Sequence, residues 1–376
     1  MRAVIYRESG RLPVVTDVDE PRCAPDGVVL RVGATGVCRS DWHSWLGHDP
    51  VPLPMVPGHE YAGEVVAVGD DVTRWRVGDR VIVPFACGCG RCAWCAAGQT
   101  HVCPDQQQPG FTSFGSWAEL VAVPAADANV VALPPGVGYV EAAALGCRFA
   151  TAYHAVTAHG RPREGEWVAV HGCGGVGLSA VMVAVQRGAR VVGVDVSSDA
   201  RQAALGLGAE TVLAVAGATP GEVGAAVHDA TGGGAHVSID ALGGAASMSA
   251  SIASLRRRGR HVQVGLMLED DASPAVPMGR VLAEELELHG SHGMPASDYP
   301  EMLSLVASGA LDVRRLVGRV ISLDEAPAAL AAMSSPPTHA GMTVVDLSTC
   351  PASAHLVVVP GHSSGPRSNH TVGRSR

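Results

Sequence analysis

Residues 167–195 read WVAVHGCGGVGLSAVMVAVQRGARVVGVD, and this stretch decides the fold. The apolar run Trp167–His171 predicts a buried strand, Leu178–Arg187 a helix and Arg190–Val194 a second strand that closes on Asp195. Between the first strand and the helix, Gly172, Gly174 and Gly177 stand in Gly-x-Gly-x-x-Gly spacing. That spacing lets a backbone approach a pyrophosphate at a helix N-terminus, where free N–H groups and the helix dipole favour an anion. Alone the fingerprint is a weak signal. Here a strand precedes it, a helix follows it, and an acid lies eighteen residues past Gly177. Asp195 is placed to accept bonds from adenosine ribose hydroxyls and to repel a 2′-phosphate, and the first arginine after it is Arg201. This favours NAD over NADP, with strand-end capping as the structural alternative for Asp195.

The alternation continues outward from this unit. A helix at Ser198–Leu207 and strands at Thr211–Val215, Val237–Asp240, Arg260–Val264 and Leu286–Gly290 complete six strands with intervening helices, an α/β doubly wound parallel sheet of Rossmann type. Upstream, Val28–Val32, Tyr61–Val68, Arg80–Val83 and Trp117–Val123 are short β-branched runs bounded by turn formers, which predicts a mostly antiparallel β domain. Residues 295–346 hold a helix near Tyr299–Ala307 and a strand at Thr343–Leu347 that return to this first domain. The cations Arg256–Arg258 read as the dipole-complementing end of a helix, with Gly259 as its C-terminal cap. From 348 to 376 the chain is rich in Ser, Pro, Gly and His and contains no acid, so it reads as a disordered tail apart from the apolar patch Leu356–Val359.

Composition narrows the function. In 376 residues there are 46 glycines and 25 prolines without a triplet repeat, which excludes collagen, and 47% apolar residues suffice for a buried core. A net charge of -9 argues against a nucleic-acid partner. All 27 basic residues are arginine, so lysine Schiff-base chemistry, a P-loop lysine and a Tyr–Lys dehydrogenase pair are excluded. No apolar run reaches the 18 residues of a membrane span, and MRAVIYRESG lacks a signal-peptide core, so a cytoplasmic protein with no membrane partner is expected. In that reducing compartment, clustered thiols bind metal more readily than they form disulfides.

Cys89, Cys92, Cys95 and Cys103 lie in CGRCAWCAAGQTHVC, within a lobe at residues 87–104. Four thiolates so close can close a tetrahedron round Zn²⁺, with Gly90 and Gly98 permitting the turns, and a site filled by four protein ligands is structural. An iron–sulfur cluster is the rival occupant. Cys87 reads as a nearby free thiol and Trp94 as packing within the lobe, while Cys23, Cys173 and Cys350 have no partner pattern. Cys38 in GVCRSDWH, His59 in PGHEYAG and Cys147 in LGCRF could supply three ligands of an open catalytic Zn²⁺ site, although their spacing alone says little.

These segments, the four-cysteine lobe, VGDRV at 77–81, GSWAEL at 115–120 and the glycine loop occur in the order found in the zinc-dependent medium-chain alcohol dehydrogenases, which residues 1–346 resemble. The resemblance implies a GroES-like catalytic domain at 1–148 and 293–347 and an NAD-binding Rossmann domain at 149–292. It makes Cys38, His59 and Cys147 the catalytic zinc ligands, gives Glu60 a place close to the metal, and makes Asp41 the group that orients His59. Without the family, Asp41 would be a solvated turn residue. Ser40 and His43 match a proton relay that runs through the cofactor ribose to solvent, where zinc has made the alcohol acidic. Two thiolates and a neutral imidazole roughly cancel the zinc charge, so a bound alkoxide can release hydride. Arg39, Gly172, Gly174, Gly175, Val176, Gly177, Asp195 and Gly265 match cofactor-contacting positions. Family members acting on polyols usually carry Glu where this chain has Cys147, which tilts the expectation toward simple alcohols and aldehydes. Trp42 and Trp45 either line the substrate channel or pack under the metal loop.

The expected protein is thus a two-zinc, NAD-dependent alcohol dehydrogenase, a homo-oligomer with a tetramer favoured over a dimer. Two alternatives accompany it: an enzyme for a specialised biosynthetic or thiol-bound aldehyde on the same site, and a non-catalytic cofactor-binding sensor or structural protein.

Overall fold

The computed structural model describes residues 1–335 and 340–348. The rest of the predicted tail, with Leu356–Val359 and Cys350, lies outside the described residues.

The six expected parallel strands form one sheet in the order Thr211–Ala214, Arg190–Asp195, Trp167–His171, Ala235–Asp240, Leu255–Gln263, Glu287–Gly290. Chain order reverses between Trp167–His171 and Ala235–Asp240, and ligands of open α/β sheets bind in the crevice beyond the carboxyl ends at such a point. The glycine loop sits there. It feeds the helix Gly175–Gln186, which is apolar nearly all round because sheet and neighbouring helices enclose it. A Cβ at Gly177 would stand 1.7 Å from the Gly172 carbonyl oxygen, so only glycine permits this strand-to-helix approach.

A second, mixed sheet of seven strands lies upstream, built on the ten-residue strand Val28–Val37. It pairs antiparallel with Tyr61–Val68, with Leu120–Val123 and with Met342–Asp346. The last pairing carries the chain back to its first sheet, as the strand expected at Thr343–Leu347 requires. Trp117, placed in a strand by its sequence, instead precedes Leu120–Val123 fully buried, its indole N–H donating to Gly36 O at 2.9 Å.

Two segments differ from the sequence reading. The helix predicted to end at Arg256–Arg258 stops at Ala253, and Leu255–Gln263 is a strand held by parallel neighbours on both sides. Gly259 therefore caps nothing; Arg258 takes the left-handed turn at φ 58° inside this irregular strand. Tertiary pairing overrides the local cap signal. The Ala-rich stretch 139–160 is a continuous helical run in which π-helical turns, Leu145–Phe149 and Ala155–Gly160, interrupt the α geometry. The domain boundary expected at 148/149 lies inside this run. No helix among the described residues is long and apolar enough to cross a membrane.

Three buried histidines make the fold acid-sensitive. Burial drives His171 down to about 3 and His154 and His261 down to about 4, from an ordinary 6.5. The unfolded chain thus binds more protons, so their contribution is complete above pH 6.5 and is lost as pH falls toward 3–4. For His171, whose Nε2 lies 3.1 Å from Ser254 Oγ, the loss at pH 5 is about 2 kcal/mol. Urea unfolding midpoints should fall between pH 7.5 and 5, and His171→Asn should flatten that slope.

Candidate active site

Three elements converge on the trio of scattered ligands. Cys38 ends the strand Val28–Val37 and caps the helix Arg39–Leu46. His59 and Glu60 immediately precede the antiparallel neighbour, where Thr35 pairs with Tyr61. Cys147 comes from the π-helical turn Leu145–Phe149, a widening that is frequent at functional sites. Ligand atoms of Cys38, His59, Glu60 and Cys147 all lie within 4.8 Å of one another.

Asp41 organises this cluster. Fully buried, it accepts hydrogen bonds from Cys38 N (3.0 Å), Gly58 N (3.1 Å) and His59 Nδ1 (2.9 Å). A carboxylate only accepts, so Nδ1 carries a proton toward Asp41, and Nε2 is the nitrogen whose lone pair becomes available when the ring gives up its second proton. Among the described residues Nε2 is buried without a hydrogen-bond partner. An orphaned imidazole nitrogen beside two sulfurs is the donor set that Zn²⁺ takes. Charges agree: Cys38 is held well below the usual thiol range, first by the Cys147 S–H and then by His59, while Cys147 is pushed up by the same contact and by burial. Burial lowers His59, but the Asp41 charge and hydrogen bond outweigh it and hold its proton well above the usual range. Metal binding must therefore displace protons.

Glu60, also fully buried, faces Arg148, a residue that the motif reading left without a role. The guanidinium donates from Nε to Oε1 (3.0 Å) and from Nη2 to Oε2 (2.5 Å), and Arg148 N adds a bond to Oε1 at 3.0 Å. Desolvation raises the Glu60 carboxyl and the Arg148 charge opposes it. Glycines make room for the pair: a Cβ at Gly36 would meet Glu60 Oε2 at 2.2 Å, one at Gly146 would meet Glu60 Cα at 2.8 Å, and one at Gly175 would meet Arg148 Cδ at 2.7 Å. The signal was present in sequence as a lone charge inside AAALGCRFATA.

The relay residues lie on the helix Arg39–Leu46. Ser40 Oγ is 3.9 Å from Cys38 Sγ, and His43 Nδ1 faces His48 Nδ1. Arg39 donates to Met333 O at 2.6 Å and stacks on Trp42, whose N–H donates to Ser334 Oγ. Trp45 is core, with its N–H on Arg11 O.

In the cofactor loop, a Cβ at Gly174 would meet nothing, so the backbone faces open space at the end of a helix. Asp195 accepts from Cys173 N and Ser197 N, both at 2.7 Å, and Arg201 beside it is bonded to the carbonyls of Asp195 and Val196. Gly265 packs on Leu242–Gly243, where a Cβ would lie 2.1 Å from Gly243 N, so backbone packing accounts for that glycine. Val176 is half-buried in the first turn of the helix.

At the lobe, the ligand atoms of Cys89, Cys92, Cys95 and Cys103 likewise lie within 4.8 Å. Backbone N–H groups of Arg91 and Cys92 bring Cys89 down to about 7, while burial pushes Cys95 up to about 12. Gly90 and Gly98 take the left-handed turns expected of them. Asn129, which carried no sequence signal, pins the lobe by exchanging two hydrogen bonds of 2.8 Å with Gly88. Cys87 stays outside the cluster, buried with its S–H on Pro84 O. Trp94 does not pack within the lobe; it is 56% exposed.

Comparison with known proteins agrees with this geometry. Residues 24–135 match the alcohol dehydrogenase GroES-like domain and residues 175–308 match the zinc-binding dehydrogenase family. An alcohol dehydrogenase of Geobacillus stearothermophilus is 33% identical over 82% of this chain and 89% of its own length. The solved alcohol dehydrogenase TADH from Thermus sp. ATN1 superposes with a TM-score of 0.84 at 31% identity, covering 92% of this chain and 99% of that one. A Sinorhizobium meliloti protein described as a zinc-binding dehydrogenase and solved with NADP gives 0.80 at 28% identity, over 92% and 98%. The chain belongs to the zinc-dependent medium-chain alcohol dehydrogenase family.

Replacing Arg148 by Met strands a buried carboxylate, and the unfolding free energy should fall by about 3–5 kcal/mol. Adding Glu60→Gln should recover most of the loss in urea unfolding; an unchanged midpoint for Arg148→Met refutes the role of the pair.

Proposed function

We propose that this chain is an NAD-dependent alcohol dehydrogenase that holds two zinc ions, one in the cluster of Cys38, His59 and Cys147 and one in the lobe of Cys89, Cys92, Cys95 and Cys103. The unpartnered, buried His59 Nε2 beside two thiols carries the reading. When bound, the first zinc supplies a Lewis acid for an alcohol or carbonyl oxygen, the second supports the lobe, and the nicotinamide supplies the hydride acceptor.

The chain's own residues do the rest. Asp41 keeps the His59 lone pair on Nε2. Arg148 holds and neutralises the Glu60 carboxylate, so two thiolates and one neutral imidazole would set the charge around the metal. Ser40 takes the hydroxyl proton and His43 delivers it toward solvent. In the cofactor loop, Gly174 and the first turn of Gly175–Gln186 receive the pyrophosphate, and Asp195 recognises the adenosine ribose and disfavours a 2′-phosphate. Arg39 stays with the cofactor, its guanidinium already oriented by Met333 O. The substrate is a small alcohol, aldehyde or ketone. A sensor without turnover has no use for Ser40 and His43 next to a complete ligand set, and no observation favours a thiol-bound substrate.

Assembly as a homo-oligomer is part of the proposal, with a tetramer preferred. Among the described residues the strand Glu287–Gly290 ends its sheet, and Leu282 (81% exposed) and Met278 lie close by in sequence as apolar surface. No nucleic-acid or membrane partner is proposed, and the cytoplasm is the proposed location.

Elemental analysis should find two zincs per chain together with alcohol-dependent NADH formation. Cys147→Ala should keep the fold, retain one zinc and lose nearly all turnover; full turnover in that variant refutes the ligand. Asp195→Gly should lower the preference for NAD over NADP about tenfold to a hundredfold, read as the ratio of kcat/KM values, and an unaltered ratio refutes the ribose contact.

A further inference from the structure

Five residues beyond His43, the chain supplies a second imidazole that the reading above does not use. The helix Arg39–Leu46 ends at Gly47, whose φ of 85° reverses the chain, and the N–H groups of His48 and Asp49 both point to the His43 carbonyl, at 3.0 and 3.4 Å. This reversal lays one ring against the other, with centroids 5.5 Å apart and Nδ1 atoms 3.3 Å apart. Trp42 closes a third side, edge-on to both rings at 4.9 and 5.4 Å, and is anchored through Ser334 and Arg39. Both histidines are half-buried, so neither is a freely solvated side chain.

Two Nδ1 atoms in contact impose a chemical condition. An imidazole nitrogen donates only when it bears hydrogen and accepts only when it does not, so one ring carries the proton and the other the lone pair. Each ring keeps its Nε2 on the far side. A proton that arrives at His43 Nε2 sends the Nδ1 proton of His43 to Nδ1 of His48, and His48 then gives its Nε2 proton to water. One N–H bond breaks for each that forms, the rings exchange tautomers, and nothing is oxidised or reduced.

The charges around His43 oppose retention of that proton. Burial holds its pKa below the ordinary value, and His48 and Arg39 act in the same direction against Cys38 and Asp49. An inner imidazole that is reluctant to stay charged passes protons on to an outer one.

We propose that His48 is the outer member of a two-imidazole relay, so that the alcohol proton leaves through His43 and His48 in turn. This rests on the reading of Ser40 and His43 given above; His48 acts through His43 as a positioning residue and does not touch the substrate.

Two measurements test it. In histidine ¹⁵N NMR of the protein without cofactor, His48→Gln should raise the titration midpoint of His43, because a neighbouring positive charge is gone. An unmoved midpoint means uncoupled rings and overturns the proposal. In single-turnover alcohol oxidation in dilute buffer, His48→Gln and His48→Asn should be slowed about tenfold at neutral pH, with a pH profile moved to the alkaline side and the rate restored by added imidazole. A wild-type rate and profile, or a loss that imidazole does not restore, overturns it. His43→Gln, measured alongside, separates the two layers. If it also keeps the full rate, the relay reading falls; if it is slow while His48→Gln is normal, only His48 is removed.

Discussion

The buried pair of Arg148 and Glu60 is the contact on which the rest of this site depends. It joins the strand-edge segment that carries His59, the π-helical turn that carries Cys147, and the first turn of the cofactor helix at Gly175. Opposite charges without water persist only when their remaining hydrogen-bonding capacity is met, and here both carboxylate oxygens are used. The steric demands at Gly36, Gly146 and Gly175 are the geometric trace of that requirement. A side chain at any of them would collide with Glu60 or Arg148.

Asp41 plays the corresponding part on the other side of the cluster. By accepting from two backbone amides and from His59 it sets the tautomer of the imidazole and the start of the helix on which Ser40 and His43 stand. Ligand, relay and capping geometry are therefore one unit. The same helix ends in the turn that returns His48 to His43, so its two ends serve the site in different ways: one presents a thiol and the other aligns imidazoles.

Much of the fold was legible because its signals are local and periodic. Strand–glycine loop–helix–strand at 167–195 needs only adjacent residues to be recognised, and the four lobe cysteines lie within fifteen positions. The strand Leu255–Gln263 was misread in part, since its arginines and Gly259 imitate a helix end, while parallel neighbours on both sides decide otherwise. The run 139–160 was hidden for a related reason. Gly146 and the β-branched Thr151, Val156 and Thr157 weaken its helical signature, and the packing of its apolar side against both sheets compensates. Asn129 carried no sequence signal and Arg148 only that of a lone charge in an apolar run, because a single polar residue does not say what it will meet.

By itself, then, the sequence determined the residue types and their order: a doubly wound sheet with a dinucleotide fingerprint, a thiol lobe, and one histidine and two cysteines far apart along the chain. Only the tertiary structure decided that Cys38, His59 and Cys147 meet, that Asp41 leaves the lone pair on Nε2, and that Arg148 takes Glu60. The physical reason is the range of the forces concerned. Periodicity and turn chemistry act between neighbours in the chain, whereas ion pairing and ligand convergence act through a few ångströms of space across 88 residues of sequence.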